Sequence, residues 1–458
     1  MIAEVNRQIV IHNPTDELIS WCESELVVRN PDYYKLKNMG KWVGNIPDRL
    51  YLFAEIDGNI VVPFGCAKAL MRFKDLQFKA DFAPISPLEY HSSISPYDYQ
   101  EQAVQAALRY KNGVIVMPCG AGKTQVALEI IARLGGHALW LTHTQDLLNQ
   151  SLNRAKSVFG IDSSEYGTIT EGKINIGKAI TFATVQTMSK IDLTQYQNEW
   201  NVVITDECHK AVGTPTRCMQ FYRVLNNLCC RYKFGITATP KRSDGLEKTM
   251  FALIGPVIHT VDREAVAHTT CPVYYKMIST DYEPDLNIAL AGDGTLNYSG
   301  LVNDLTHDSQ RFDCVFNALN ALEGAVLVLG NRVEYLEHMC REDQARSVCL
   351  SSLGQSKAAK AYRKKVLQDL NNGDIDHVYA TYQLAKEGLD VPNLRYVVFA
   401  TPEKDETTVV QAAGRAGRKA DGKDHGTIID FVDNFGMLRG WARKRVNYYK
   451  KLGYTPLT

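Results

Sequence analysis

The sequence has no run of eighteen apolar residues, no Cys-x-x-Cys pair and no excess of charge of either sign. The first absence argues against a membrane-spanning helix, and the second against a structural zinc site. The start of the chain lacks a secretory pattern, so its eleven scattered cysteines favour reduced thiols in a cytosol. Lys plus Arg and Asp plus Glu both number 51, so any polyanion must be held by local patches or backbone N–H groups.

Short apolar runs alternate with helical patterns through most of the chain. The first set of runs covers residues 114–116, 138–141, 180–183, 202–204 and 234–236. The pattern then restarts at residues 325–329, 348–350, 378–380, 397–399 and 427–429. Such alternation predicts parallel sheets with helices on both faces. We therefore expect an α/β protein with two parallel-sheet domains in tandem.

A glycine-rich turn follows the first apolar run and precedes a predicted helix over residues 125–134. In such a turn the backbone N–H groups point inward around a phosphate chain. Lys123 can reach the terminal phosphates, and the Thr124 hydroxyl can hold Mg²⁺. Met117 stands where this motif usually opens with glycine, and a chance glycine turn is the alternative. The candidate ATP-binding residues of the loop are Cys119, Gly120, Ala121, Gly122, Lys123 and Thr124.

An acidic pair lies directly after the apolar run 202–204. Ligands of α/β sheets bind at the carboxyl ends of the strands, which is where Asp206 and Glu207 are expected. Asp206 can hold Mg²⁺ through water, and Glu207 can take a proton from the water that attacks the γ-phosphate. An isolated acidic pair after a strand is common, but one that follows a phosphate loop indicates nucleotide hydrolysis.

The box Asp206-Glu207-Cys208-His209 resembles the signature of the superfamily 2 DECH-box helicases, and further segments resemble that superfamily's motifs in order. They span roughly residues 95 to 435, and the resemblance implies two RecA-like motor domains that use ATP and Mg²⁺. It also implies roles for single residues. Gln100 would read adenine, and Gly388 and Asp390 would contact the nucleotide. Coupling of hydrolysis to strand binding would fall to His209, Thr237 and Thr239, and nucleic-acid contacts to Thr142, Thr184, Gln186 and Thr381. Each of these last four residues, taken alone, is more often a cap or turn residue.

The last motif, which begins at Gln411, supplies two candidate catalytic cations. Arg415 and Arg418 are three residues apart and would project from one face if the segment is helical. Phosphoryl transfer spreads negative charge over equatorial oxygens, so these cations would stabilise it once the two domains close. As isolated residues they would be a surface cation pair. Within this motif we assign Gln411, Arg415 and Arg418 to catalysis.

The segments 240–246 and 253–257 are similar to xeroderma-pigmentosum-B-type DNA helicases and their phage relatives that migrate DNA junctions. That branch carries Arg-Glu-Asp where this chain has Arg242-Ser243-Asp244, which weakens the assignment of a role to this element. The function predicted is an ATP-dependent helicase or translocase acting on forked or branched DNA in a bacterial or phage-infected cytosol. The alternatives are an RNA-dependent ATPase and a nucleotide-gated DNA-binding scaffold.

Four segments follow from these patterns. Residues 1–92 form a small α+β accessory domain, in which Asn30 to Tyr34, Lys41 and Trp42 either bind DNA or pack. Residues 93–268 and 269–440 are the two RecA-like domains, with 271–309 read as a linker and an excursion. Residues 441–458 are a basic helix whose cations and aromatic rings either grip nucleic acid or face solvent. In the accessory domain, residues 49–56 and 59–62 are expected to form a hairpin.

Overall fold

The computed structural model describes residues 1–82, 84, 88–214, 218–242, 244–292, 294–351, 353–354, 356–386, 389 and 391–457. Contacts divide the chain into two compact units, Met1–Asp262 and Arg263–Thr458. Each unit is described by itself below.

The first unit opens with the accessory segment, an α+β layer whose apolar core also includes Val212, Leu246 and Ala252 from the rest of the unit. Its elements are β1 Ile2–Val5, β2 Gln8–His12, α1 Asp16–Glu25, β3 Val27–Arg29, α2 Pro31–Asn38, β4 Arg49–Tyr51, β5 Ala54–Ile56, β6 Asn59–Pro63, α3 Ala67–Leu70 and β7 Gln77–Ala80. The main sheet has the order β5-β6-β2-β1-β7. The expected hairpin around Asp57 and Gly58 is present as β5 and β6, but β4 pairs with β3 instead.

The rest of the first unit is a sheet with helices around it. Its helices are α4 Asp98–Tyr110, α5 Lys123–Leu134, α6 Gln145–Phe159, α7 Val185–Met188, α8 Gln220–Leu225 and α9 Glu247–Ile254. Its strands are β8 Asn112–Val116, β9 Ala138–Thr142, β10 Tyr166–Thr170, β11 Lys173–Asn175, β12 Ile180–Thr184, β13 Val202–Asp206, β14 Tyr232–Thr237 and β15 Val257–Thr260. The strand order is β11-β10-β12-β9-β13-β14-β8-β15.

Each apolar run predicted for this sheet forms a strand. Every residue of β9 and β12 is buried, as expected of strands covered on both faces. Apart from β11, the paired strands run parallel, so their carboxyl ends meet at one edge. At this edge β13, β14 and β8 are neighbours. The acidic pair, the Thr237 segment and the phosphate loop are thereby brought together.

The second unit repeats the plan. Its helices are α10 Leu286–Ala289, α11 Tyr298–His307, α12 Ser309–Asn320, α13 Val333–Glu342, α14 Lys357–Asn372, α15 Tyr382–Lys386, α16 Glu406–Ala413 and α17 Gly436–Lys451. Its strands are β16 Val273–Ser279, β17 Val326–Gly330, β18 Ser347–Cys349, β19 His377–Thr381, β20 Tyr396–Phe399, β21 Gly426–Val432 and β22 Thr455–Pro456. The order is β18-β19-β17-β20-β21-β16-β22, and the described pairs are parallel.

Two expectations for this unit are wrong. The start of the supposed linker is β16, which pairs along its whole length with β21 because its apolar residues belong to the sheet. The basic C-terminal helix is α17, which is only partly exposed to solvent. Not all of its cations are available at the surface to bind nucleic acid. Trp441, Arg445 and Tyr449 are buried. The Arg445 guanidinium donates to both oxygens of Asp430, at 2.7 and 2.9 Å, and the Tyr449 hydroxyl donates to the same carboxylate at 2.9 Å.

This buried ion pair should contribute strongly to the stability of the second unit. Arg445→Met leaves the Asp430 carboxylate buried without its cation, so we expect the free energy of unfolding to fall by about 3–5 kcal/mol. Chemical denaturation followed by circular dichroism measures the change. Lys444→Met, at an exposed position of the same helix, is the matched control. Equal stability of the two variants would contradict the assignment.

Candidate nucleotide and nucleic-acid sites

The phosphate loop joins β8 to α5, and its departure at Met117 is explained by the sheet. The Met117 backbone N–H donates to the Thr237 carbonyl at 2.9 Å, which extends the pairing of β8 with β14, and its side chain is fully buried. A side chain is therefore accommodated where the motif usually has glycine. The turn itself lies further on, at Gly120 and Gly122, whose φ angles are 83° and 76°. These left-handed angles favour glycine.

Gln100 holds this turn from behind. Its amide donates to the Ala121 carbonyl at 3.0 Å, and its oxygen accepts from the Tyr97 backbone N–H at 3.1 Å. A Cβ atom on Gly122 would lie 2.4 Å from the Gln100 amide nitrogen, so a side chain there would displace the Gln100 carboxamide from the loop. Both ends of the carboxamide are occupied by the protein, and the geometry therefore gives no support to the predicted adenine contact. In this structure Gln100 supports the phosphate loop.

The predicted acid and the predicted phosphate ligand lie side by side. The Lys123 ammonium is 3.6 Å from a Glu207 carboxylate oxygen, and both side chains are 17% exposed. Lys123 opens α5, whereas Glu207 follows β13 with a φ of 48°, a left-handed angle that is uncommon for a residue with a side chain. The turn thus directs the Glu207 carboxylate toward the loop.

The electrostatics of this group distinguish the two carboxylates. Burial, and then the neighbouring Glu207 charge, raise the pKa of Asp206 to about 7. Burial also acts to raise the pKa of Glu207, but Lys123 and His209 hold it below its usual range. Burial disfavours the Lys123 ammonium, yet Glu207, Cys119 and Asp206 keep its pKa above the ordinary value. Glu207 is therefore ionised at pH 7, whereas Lys123 and Lys210 offset only part of the effect of burial on Asp206.

This donor set fits Mg²⁺ bound together with a triphosphate. Magnesium is commonly held by one or two carboxylates and substrate phosphates, and it keeps several waters. Asp206 supplies a carboxylate in need of positive charge, and Thr124 supplies a hydroxyl at the first turn of α5. Within the described residues there is no cluster of three acidic, His or Cys groups that would bind a metal without the nucleotide.

The three residues predicted to couple hydrolysis to strand binding form one group. A ring nitrogen of His209 lies 3.0 Å from the Thr237 hydroxyl oxygen, which also accepts from the Thr239 backbone N–H at 3.2 Å. The same ring nitrogen is 3.3 Å from Glu207. The acidic box and the end of β14 are therefore in direct contact, while the coupling role itself stays a prediction.

The candidate nucleic-acid contacts of the first unit differ in exposure to solvent. Thr142 and Thr184 are register partners at the ends of β9 and β12, but both are buried. Their hydroxyls donate to the Thr144 carbonyl at 3.0 Å and to the Thr187 hydroxyl at 3.1 Å. These two threonines therefore stabilise the turns, as threonines at such positions commonly do. Gln186 is exposed, and its amide donates to the His143 carbonyl at 2.5 Å.

In the second unit, Thr381 ends β19. Its hydroxyl oxygen accepts from the Leu384 backbone N–H at 3.3 Å, so it caps α15. The Gly388 and Asp390 assignments lie outside the described residues.

The two motif arginines do not share a helix face. The helix α16 ends at Ala413, so Arg415 lies in the turn that follows and Arg418 forms an isolated β-bridge with Thr270; the helical interpretation is wrong. Arg415 is buried and donates to the carbonyls of Ala385 and Leu389. Arg418 is half-buried, and Gln411 lies in the last turn of α16. Arg415 thus stabilises the segment before β20.

Sequence reasoning undervalued two contacts near the acidic box. Arg242 binds both oxygens of Asp244, at 2.9 and 2.6 Å, and also donates to the His209 carbonyl. The Arg and Asp of the branch element therefore act together, whereas Ser243 lies outside the described residues. The Lys210 ammonium contacts the imidazole of His143. A lysine directly after the acidic box was the available signal for this second contact.

Family models match both halves of the predicted motor. The model described as "Type III restriction enzyme, res subunit" matches residues 93–242. The model described as "Helicase conserved C-terminal domain" matches residues 310–420. The matched ranges contain the phosphate loop, the acidic box and the arginine motif.

Relatives of the predicted kinds are found. An Acanthamoeba polyphaga mimivirus protein named as an ATP-dependent RNA helicase, L396, is 22% identical over 98% of this chain and 84% of its own length. The ATP-dependent DNA helicase uvsW of Enterobacteria phage T4 is 22% identical over 89% of this chain and 85% of its own. The DNA 3'-5' translocase XPB2 of Sulfurisphaera tokodaii is 28% identical over 61% of this chain and 58% of its own.

A solved structure agrees on the fold. The Type ISP restriction-modification enzyme LlaBIII bound to DNA is 18% identical and covers 79% of this chain and 30% of that chain, with a TM-score of 0.57. Across the described part of the chain, no helix has the length and hydropathy needed to cross a membrane. The chain belongs to the superfamily 2 helicases, ATP-hydrolysing enzymes that carry two RecA-like domains.

Proposed function

We propose that the protein is an ATP-driven DNA helicase and translocase that remodels forked or branched DNA. The observation that carries this proposal is the pairing of Lys123 with Glu207 at the strand edge that also carries Gln186. The names of the phage T4 and Sulfurisphaera relatives support DNA as the substrate. We place it in the cytosol and in the DECH-box subtype. We propose the accessory segment 1–92 and two motor domains that divide between residues 262 and 269, with α17 as part of the second domain.

In the first motor domain, Lys123 holds the terminal phosphates and the loop glycines provide backbone donors. Asp206 and Thr124 would hold Mg²⁺, which would supply positive charge for the phosphate oxygens. Glu207, kept ionised by Lys123, takes a proton from the attacking water. Changes in the bound nucleotide would then be transmitted from His209 through Thr237 and Thr239 to the segment that follows β14.

In the second domain, the two arginines take different roles. Arg415 donates to the carbonyls of Ala385 and Leu389, so we assign it to support of these residues, and we keep Gly388 and Asp390 as proposed nucleotide contacts. Arg418 is the cation that we propose to meet the transferred phosphate when the domains close around ATP, and Gln411 helps to place the water. Closure and reopening would move one domain along the strand relative to the other.

Strand contacts are assigned to the exposed Gln186, which follows β12 in the first domain, and to Thr381, which ends β19 and caps α15 in the second. Thr142 and Thr184 keep these loops in shape. Backbone contacts of this kind are blind to sequence, which suits an enzyme that must move along any DNA.

The accessory segment offers a second DNA surface. Residues 29–49 carry five cations against two acids, although the whole chain is neutral; the cations are Arg29, Lys35, Lys37, Lys41 and Arg49, and the acids are Asp32 and Asp48. Trp42 is 88% exposed. Exposed aromatic rings among cations are typical of surfaces on which bases stack. We propose that this surface holds the branched end of the DNA.

RNA is the second candidate substrate, because the mimivirus relative that spans nearly the whole chain is named as an RNA helicase. Backbone contacts alone separate RNA from DNA poorly unless a 2′-hydroxyl is read. The substrate panel below decides between them.

ATP turnover should rise strongly on forked or four-way DNA, less on single-stranded DNA and little on matched RNA. Strand displacement on the same panel should require ATP. Lys123→Ala, which removes the phosphate ligand, should abolish turnover, and the exposed Lys173→Ala is its matched control. Turnover that no DNA changes would refute the DNA proposal, and stimulation by RNA alone would favour the alternative.

Arg418→Ala should lower kcat by about 10³-fold, because a cation that meets the transferred phosphate acts in the transition state. Affinity for a non-hydrolysable ATP analogue should change far less. The exposed Arg341→Ala in the same unit serves as control. Equal losses in kcat and in analogue affinity would show that Arg418 acts in ground-state binding instead.

Trp42→Ala should weaken binding of a forked DNA by about 1–3 kcal/mol, the contribution of one stacked base. Fluorescence anisotropy with an end-labelled fork at moderate salt measures the affinity. Met71→Ala, which removes another exposed apolar side chain of the accessory segment, is the control. Affinities that match between these two variants would assign Trp42 no part in DNA binding.

A further inference from the structure

A side-chain contact between described residues joins the turn that carries Glu207 to the strand-facing loop after β9. Cys208–Lys210 form a single 3₁₀ turn, and the Lys210 backbone N–H donates to the Glu207 carbonyl at 3.0 Å. The Lys210 ammonium contacts the Nε2 atom of His143, the residue that follows β9. Lys210 and Glu207 therefore share a backbone turn, and Lys210 also reaches the neighbouring loop.

His143 in turn belongs to the loop that faces nucleic acid in the proposed function. Its carbonyl accepts from the exposed Gln186 at 2.5 Å, which joins the ends of β9 and β12. Within the same loop, the Thr142 hydroxyl donates to the Thr144 carbonyl at 3.0 Å. A displacement of this loop by a bound strand would therefore reach the imidazole of His143.

The chemistry of the contact makes it directional. Burial, and then the Lys210 charge, lower the pKa of His143 to about 4, so the ring is neutral and accepts from the ammonium at Nε2. The remaining proton is then on Nδ1, which is buried and has no hydrogen-bond partner among the described residues. A buried donor without an acceptor destabilises the present position of the ring. A strand-bound state that brings an acceptor to Nδ1 would therefore favour a shifted position of the ring.

The opposite side of the same turn is held by a different group. Arg242 donates to the His209 carbonyl while it binds both oxygens of Asp244. That anchor contacts the region after β14 and leaves the strand-facing loop alone. Movement of the loop after β9 would thus displace Lys210, while Arg242 holds the His209 carbonyl of the same turn in place.

We propose that the contact between Lys210 and His143 transmits strand binding to Glu207, which makes these two residues positioning residues for nucleic-acid-stimulated ATP hydrolysis. This inference rests on the proposed function. Neither residue touches the reacting atoms in the roles assigned above. They act by moving the turn that carries the Glu207 carboxylate.

The test is the stimulation factor, the ratio of ATP turnover with saturating single-stranded or forked DNA to turnover without it. Lys210→Met should lower this factor by about tenfold, within the usual range of coupling between two sites. The affinity for DNA and the KM for ATP should change little, and Lys210→Arg should retain most of the factor. The exposed Lys173→Met is the matched control.

His143→Ala breaks the same contact from the other side, so a folding defect in one variant does not decide the outcome. If the two residues act as one link, the double variant should lose no more stimulation than either single variant. A retained factor in both single variants would overturn the inference, as would losses that multiply in the double variant. A wild-type protein that no nucleic acid stimulates would instead overturn the proposed function.

Discussion

The pairing of the Lys123 ammonium with Glu207 organises the chemistry of the first unit. It is formed by two residues that follow β8 and β13, two strands separated by β14 in the sheet. Burial, and then the adjacent Glu207 charge, raise the pKa of Asp206 to about 7, and Lys123 offsets only part of this effect. The site is therefore short of positive charge on Asp206 and supplied with it on Glu207. Mg²⁺ bound with a triphosphate would supply positive charge to Asp206 and would leave Glu207 ionised.

The sheet explains why this arrangement tolerates an unusual loop sequence. What a phosphate loop needs from its first residue is a backbone that continues the strand, and Met117 meets that need by donating to Thr237. What it needs from Gly122 is both a left-handed φ and room for the Gln100 amide, which a side chain would take. Position 117 therefore accepts a side chain, whereas position 122 depends on the absence of a Cβ atom.

The sequence predicted the strands, the phosphate loop and the acidic box because each is local. Strands that are buried on both faces appear in the sequence as continuous apolar stretches. The glycine turn is likewise formed by residues that are adjacent in the sequence. The failures involve partners distant along the chain or the exact end of an element. In the sequence Arg445 has the pattern of a surface cation, and only the fold brings it to Asp430 of β21. The spacing of the two arginines likewise does not show that α16 ends before Arg415. The hydroxyls of Thr142 and Thr184 were equally ambiguous, since a turn and a phosphate both accept a hydrogen bond.

Buried polar groups are fully paired at two sites of the second unit, whereas two ring nitrogens near the acidic box are not paired within the described residues. In the second unit, Asp430 accepts from Arg445 and Tyr449, and Asp433 accepts from Arg311 and from Thr280 at 2.7 Å. Near the acidic box, by contrast, His209 Nε2 and His143 Nδ1 are buried with no hydrogen-bond partner in the described part of the chain. Buried polar atoms are usually paired, because an unpaired one costs about 1–3 kcal/mol. A site that must change its hydrogen bonds in every cycle cannot have them all satisfied in one state, so stability is lower where the ATPase has to move.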